Sequence, residues 1–105
     1  MKIYVDIDDT ICTKSEDLDY KKAQPLKKNI KKINKLYDNG HVIVYWTARG
    51  TMTGIDWRDV TEQQFESWGV KYHKLILGKP NYDLFIDDKN IEANTFFKEK
   101  YYEII

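Results

Sequence analysis

Cysteine is almost missing from this chain. Cys12 stands alone, which excludes an intrachain disulfide and fits a reducing compartment, so a cytoplasmic protein is expected. Proline and glycine are few, 2 and 5 residues, and no linker, repeat or low-complexity stretch divides the chain. Charge of one sign is also lacking. Lys plus Arg and Asp plus Glu each number 17, for a formal net charge of zero, so neither nucleic acid nor an anionic membrane is the expected partner. Long apolar runs are absent. None approaches the roughly 20 residues that span a bilayer, and Asp6, Asp8 and Asp9 interrupt the run from Ile3 too early for a signal peptide.

What is present is a folded globule. The 105 residues suit one domain, 1–105, and the hydrophobic and aromatic fractions of 42% and 14% suit a packed core. Residues 2–7 are β-branched and aromatic and predict a buried strand. Residues 9–24 are polar and read as a loop. After Pro25, a helix is predicted from Leu26, Ile30, Ile33 and Tyr37, which recur at helical spacing. Lys27, Lys28, Lys31, Lys32 and Lys35 then form its solvated face, and Gly40 stops it. A second strand follows over His41–Trp46, and a second helix carries Trp57, Val60, Phe65 and Trp68 up to Gly69. Further strands are predicted over Tyr72–Leu77 and Asp83–Ile86, a short helix over 90–98, and an edge strand over Tyr101–Ile105. Strands alternating with helices predict an α/β fold: a three-layer, Rossmann-like parallel sheet with helices on both faces. Ligands of such sheets bind beyond the carboxyl ends of the strands, at the topological switch point.

The groups delivered to those ends are chemical ones. Asp6 and Asp8 follow the first strand, Thr47 the second, Lys79 the third, and Asp87 with Asp88 the fourth. Asp6 and Asp8, two residues apart on an extended segment, leave on the same side. Close carboxylates are costly together unless a cation lies between them. Mg²⁺ is the expected cation, held by one or two carboxylates, a carbonyl and waters. Lys79 and Thr47 suit a phosphoryl group, one as a charge and the other as a hydroxyl donor. A carboxylate can serve as nucleophile, and a second as general acid and base.

These residues resemble the haloacid dehalogenase (HAD) superfamily of phosphatases over nearly the whole chain. Asp6-Ile7-Asp8-Asp9-Thr10 is similar to that family's DxDxT motif, Thr47 to its second motif, Lys79 in Gly78-Lys79-Pro80 to its third, and Asp87-Asp88 to its fourth. The surrounding wording resembles the small, capless capsule- and polysaccharide-biosynthesis phosphatases of the superfamily. The resemblance implies a HAD-like catalytic domain that hydrolyses a small phosphorylated metabolite, a sugar or polyol phosphate, through a phosphorylated Asp6. It implies Asp8 as general acid and base with its carbonyl on the metal, Thr47 and Lys79 on the phosphoryl group, and Asp6, Asp8, Asp87 and Asp88 around Mg²⁺. Thr10 joins the substrate-binding set through the same motif. No segment is long enough for a cap domain, so either a neighbouring copy in a homo-oligomer closes the site or it stays open to larger substrates.

Plainer readings exist for several residues. Acidic pairs at strand ends are often turn residues or helix caps, and it is the company of Asp6 and Asp8 that favours metal for Asp87 and Asp88. Arg49 is balanced between clamping a substrate oxygen and lying solvated in its loop. Asp56, Trp57 and Arg58 are candidates for the substrate entrance, with Trp57 more at home in the core. His41 and His73 read as structural. Cys12 lacks a histidine at catalytic spacing. Two other functions share these residues. A phosphotransferase would pass the phosphoryl group from Asp6 to an alcohol. A receiver-type signalling domain also uses acids, Thr and Lys, but its acceptor Asp lies in mid-chain and precedes the Thr and Lys, whereas here an acidic pair comes last.

Overall fold

A computed structural model describes residues 1–15, 17–98, 103 and 105. The chain forms β1 (Lys2–Val5), a 3-10 turn (Tyr20–Lys22), α1 (Lys27–Asp38), β2 (Val42–Thr47), α2 (Arg58–Trp68), β3 (Lys74–Leu77) and α3 (Ala93–Lys98). The three strands make one parallel sheet in the order β1-β2-β3. Lys2 pairs with Val42 and Val5 with Tyr45, while Val44 pairs with Lys74 and Thr47 with Leu77. The α/β class is therefore as expected. Among the described strands the order does not reverse, so the site cannot be located by a switch point.

Burial explains the composition of each strand. β2 is central, and Ile43, Val44, Tyr45 and Thr47 are all buried, which is why it reads as an unbroken apolar run. Among the described residues β1 has a strand partner on one side, and it carries Val5 buried and Tyr4 exposed. In α1 the buried positions are Ile30, Ile33 and Leu36, one face of a 3.6-residue repeat. Lys27, Lys28, Lys31 and Lys35 lie on its exposed side. Lys32 packs over the Phe97 ring of α3. α2 ends where Gly69 takes a left-handed φ of 70° and its N–H returns to the last turn. Val5, Ile7, Ile11, Ile30, Ile33, Leu36, Ile43, Tyr45, Phe65, Leu75 and Phe97 form one continuous core with contributions from the three strands and three helices.

One expectation fails. Asp83–Ile86 does not form a strand; Leu84 and Ile86 are 76% and 87% exposed. The segment has the composition of a strand but no strand pairing among the described residues, and β propensity reports a fit to a pleated, half-buried surface rather than an independent backbone preference. Phe85 instead lines a cavity of about 920 Å³ whose other wall includes Ile3 and Val5 of β1. The strand expected over Tyr101–Ile105 falls mostly outside the described residues. Elsewhere the boundaries move by a few residues: β1 stops at Val5, β3 starts at Lys74 and α3 at Ala93.

Candidate functional site

The site is built at the carboxyl end of β1. Immediately beyond Val5 the chain turns back on itself: Thr10 and Ile11 both donate to the Ile7 carbonyl, at 3.1 and 2.9 Å, and Asp9 donates to Cys12 at 2.9 Å. Asp9 holds a left-handed φ of 61° within this turn, a conformation that Asp adopts more readily than most residues. Ile7, Ile11 and Cys12 are 0% exposed and anchor the turn from below. The acids therefore project from a rigid loop.

They meet different cations. Asp6 lies 3.7 Å from the Lys79 ammonium. Burial raises the Asp6 carboxyl above its ordinary range, and it outweighs the opposing pull of Lys79. Lys79 is brought there by β3 and by the turn at Gly78, whose φ is +87°. Its backbone N–H donates to Thr47 at 3.0 Å, locking it to the end of β2. Its ammonium also lies 5.5 Å from the Trp46 ring and 5.4 Å from the Tyr82 ring, within cation–π range of both.

Asp8 is held by Arg49. Nε and Nη2 of Arg49 donate to the two oxygens of Asp8, each at 3.0 Å, a bidentate pair. Arg49 is only 2% exposed. Its burial overturns the reading of Arg49 as a solvated loop residue, and its guanidinium is engaged by protein groups. The Cys12 thiol donates to Asp8 at 3.4 Å. Burial, aided by Asp8, pushes this thiol up to about 12, so it stays neutral and unsuited to nucleophilic attack.

Asp6, Asp8, Thr10, Lys79 and Asp87 all line the cavity beside β1, together with Tyr4, Trp46 and Tyr82. Thr47 does not line it. Its side chain is buried, and its hydroxyl oxygen accepts from the Arg49 backbone N–H at 3.1 Å, which turns the chain after β2. Asp87 and Asp88 are exposed. The Asp87 carboxyl is lowered first by a hydrogen bond with Asp88 and then by backbone N–H groups of Asp88 and Lys89, and its carbonyl accepts from the Asn90 side chain. Among the described residues, no three metal-ligating side chains come together. The donors suit a cation held by one or two carboxylates with water and substrate, the usual manner for Mg²⁺, and do not make a closed protein cage. The incompletely compensated burial of Asp6 is the feature that such a cation would relieve.

The remaining candidates make contacts within the protein. His41 Nδ1 lies 2.8 Å from the terminal amine of Met1, and His73 Nδ1 accepts from Ile43 at 3.1 Å. Trp57 is in the core, and Arg58 donates to Glu62 and to the Leu75 carbonyl. Sequence reasoning missed Gln64, Thr61 and Tyr20. Thr61 and Gln64 stand three residues apart on α2, hence on one helix face, and both accept from Arg49.

No protein-family model matches the chain, and no curated protein matches it. A crystal structure of a target protein from Vibrio cholerae is similar to it, with a TM-score of 0.82 and 23% identity, covering 99% of this chain and 98% of that one. At that identity the likeness speaks for the fold alone: an α/β arrangement common to both chains over nearly their full lengths.

Proposed function

We propose that the chain is a Mg²⁺-dependent phosphomonoesterase of the HAD type, working through a phosphorylated Asp6 on a HAD-like, Rossmann-type sheet. The observation that carries the reading is the separation of the two acids onto two cations, Asp6 against Lys79 and Asp8 against Arg49, side by side at one strand end. Two carboxylates with different partners can take different roles.

Asp6 is the nucleophile. One of its oxygens attacks phosphorus, the ester P–O bond breaks, and Asp8 gives a proton to the departing alcohol oxygen. Water then attacks the phosphorus of the acyl phosphate, the Asp6–phosphorus bond breaks, and the water proton passes to Asp8. The sum is ester plus water giving alcohol plus phosphate. Lys79 neutralises equatorial oxygens as charge spreads over the phosphoryl group. Thr47 acts through the backbone, holding Lys79 in place at 3.0 Å. Asp6, the Asp8 carbonyl and Asp87 are the groups that would hold Mg²⁺. When bound, the ion neutralises phosphate charge and orients the ester.

The substrate side of the cavity favours a ring. Tyr4, Trp46 and Tyr82 line it beside Lys79, and their flat faces suit the C–H face of a sugar better than a flexible polyol. The test is phosphate release from a panel of sugar, polyol and nucleotide monophosphates, with Mg²⁺ and with excess chelator. Release that needs Mg²⁺ and is strongest on sugar phosphates is expected. A folded protein releasing phosphate from none of them would overturn the proposal, and transfer from the same donors to added alcohols would replace it with a phosphotransferase.

A further inference from the structure

Arg49 is the one charged side chain among the described residues that is buried. A buried ion pair is weak evidence of a stabilising role, because desolvation offsets most of the Coulomb attraction and apolar residues of similar volume often do as well. Its placement therefore calls for another reason. The guanidinium spans from the β1 turn to α2. Beyond the two bonds to Asp8, Nη1 donates to Thr61 at 3.0 Å and to Gln64 at 2.6 Å, and Nη2 approaches the Cys12 sulfur at 3.6 Å. The acceptors are themselves fixed. The Thr61 hydroxyl donates to the Trp57 carbonyl at 2.7 Å, and the Gln64 amide donates to the Tyr20 carbonyl at 2.6 Å. The Tyr20 ring closes one face of the guanidinium at 4.9 Å and is itself seated edge-on against Trp57.

We infer that Arg49 is the positioning residue for Asp8: it transmits the rigidity of α2 to the carboxyl group that handles the proton. This rests on the roles proposed above for Asp6 and Asp8. A planar fork fixes the plane of a carboxyl group, which a single point charge cannot do. Two of the roughly four lone-pair sites of the carboxylate face Arg49, and the Asp8 side chain keeps 21% exposure toward the cavity. The acid is thus held from behind and open in front. A neighbouring cation binding the substrate would have its N–H groups turned to the cavity, whereas those of Arg49 are turned to Asp8, Thr61 and Gln64.

Leaving-group dependence separates this role from a merely structural one. Benzyl phosphate must lose a poor, alkoxide-type leaving group and needs a proton from Asp8. 4-Nitrophenyl phosphate loses a stable phenolate and does not. Arg49→Lys keeps the charge and loses the fork. Its kcat/KM on benzyl phosphate is expected to fall on the order of 10²-fold, within the usual contribution of a positioned acid, and on 4-nitrophenyl phosphate by less than about tenfold, since that ester bypasses the acid. Gln64→Leu leaves Arg49 in place with one support removed, and a smaller loss with the same asymmetry is expected; it decides the matter if Arg49→Lys does not fold. Equal losses on both esters, or no loss, overturn the inference. A wild-type protein that hydrolyses neither these esters nor any sugar, polyol or nucleotide monophosphate overturns the phosphatase reading on which it stands, and that result is distinct from the other two.

Discussion

Asp6 is the residue at which a single atom exchange says most. Asp6→Asn removes the attacking oxygen while keeping shape, and the half-open site with its 3.7 Å contact to Lys79 tolerates the neutral amide. Phosphate release is expected to fall by more than about 10³-fold, as for loss of a covalent nucleophile, with an unchanged circular dichroism spectrum; retained turnover would take Asp6 out of that role. Asp8→Asn is expected to leave slow phosphorylation of Asp6, visible by acid-quench labelling, while blocking efficient turnover. Tyr45 offers a test of stability alone. Its phenol is buried, with no partner for the hydroxyl among the described residues, and an unsatisfied buried polar group costs about 1–3 kcal/mol. Tyr45→Phe deletes that oxygen without changing the ring packing on Phe65, so chemical denaturation should show equal or greater stability. Of these residues, Asp6, Asp8 and Lys79 were legible because acid and base types stood after predicted strands. The role of Arg49 was not, since the sequence shows an arginine in a loop but not that Thr61 and Gln64 of a later helix will enclose it.

At the scale of elements, two glycines divide conformational need from crowding. Gly69 closes α2 at a φ of +70°, and a Cβ there meets nothing within 4 Å. Gly69→Ala should therefore cost only the left-handed penalty, about 1–2 kcal/mol. Gly50, in the loop after β2, has a φ of +83°, and a Cβ there would lie 2.1 Å from the Ile55 carbonyl oxygen. Gly50→Ala must also move backbone beside Arg49, so its denaturation midpoint should drop further than that of Gly69→Ala, and on the proposed function its phosphate release should fall while that of Gly69→Ala is kept. Equal effects would mean that the loop yields freely. The helices were readable because their burial follows from local periodicity, and the central strand because burial on both faces makes it an unbroken apolar run. The segment 83–86 was misread for the complementary reason: its Leu, Phe and Ile satisfy a strand pattern, but pairing depends on a partner edge that no local pattern encodes.

At the scale of the whole molecule, the balance of charge was informative only by exclusion, and the fold class emerged from the alternation of elements. The assembled site makes a prediction of its own, because a ligand that binds only the folded chain adds its binding free energy to stability. Asp6 carries a raised carboxyl that Lys79 does not fully compensate. A trigonal-to-tetrahedral phosphoryl mimic such as beryllofluoride, bonded to an Asp6 oxygen, would spread that charge toward Lys79. Mg²⁺ would balance the remainder between Asp6 and Asp87. Each alone leaves an uncompensated charge in the cavity, so the two should act together. At about 100 times the dissociation constant, the pair should contribute about 2.7 kcal/mol. For a domain of this size that corresponds to a rise in melting temperature on the order of 10 °C. Mg²⁺ alone and beryllofluoride alone should each give much less, excess chelator should reverse the shift, and Asp6→Asn should abolish the joint effect. A full shift from beryllofluoride in the presence of chelator would remove magnesium from the site while leaving Asp6 in its role.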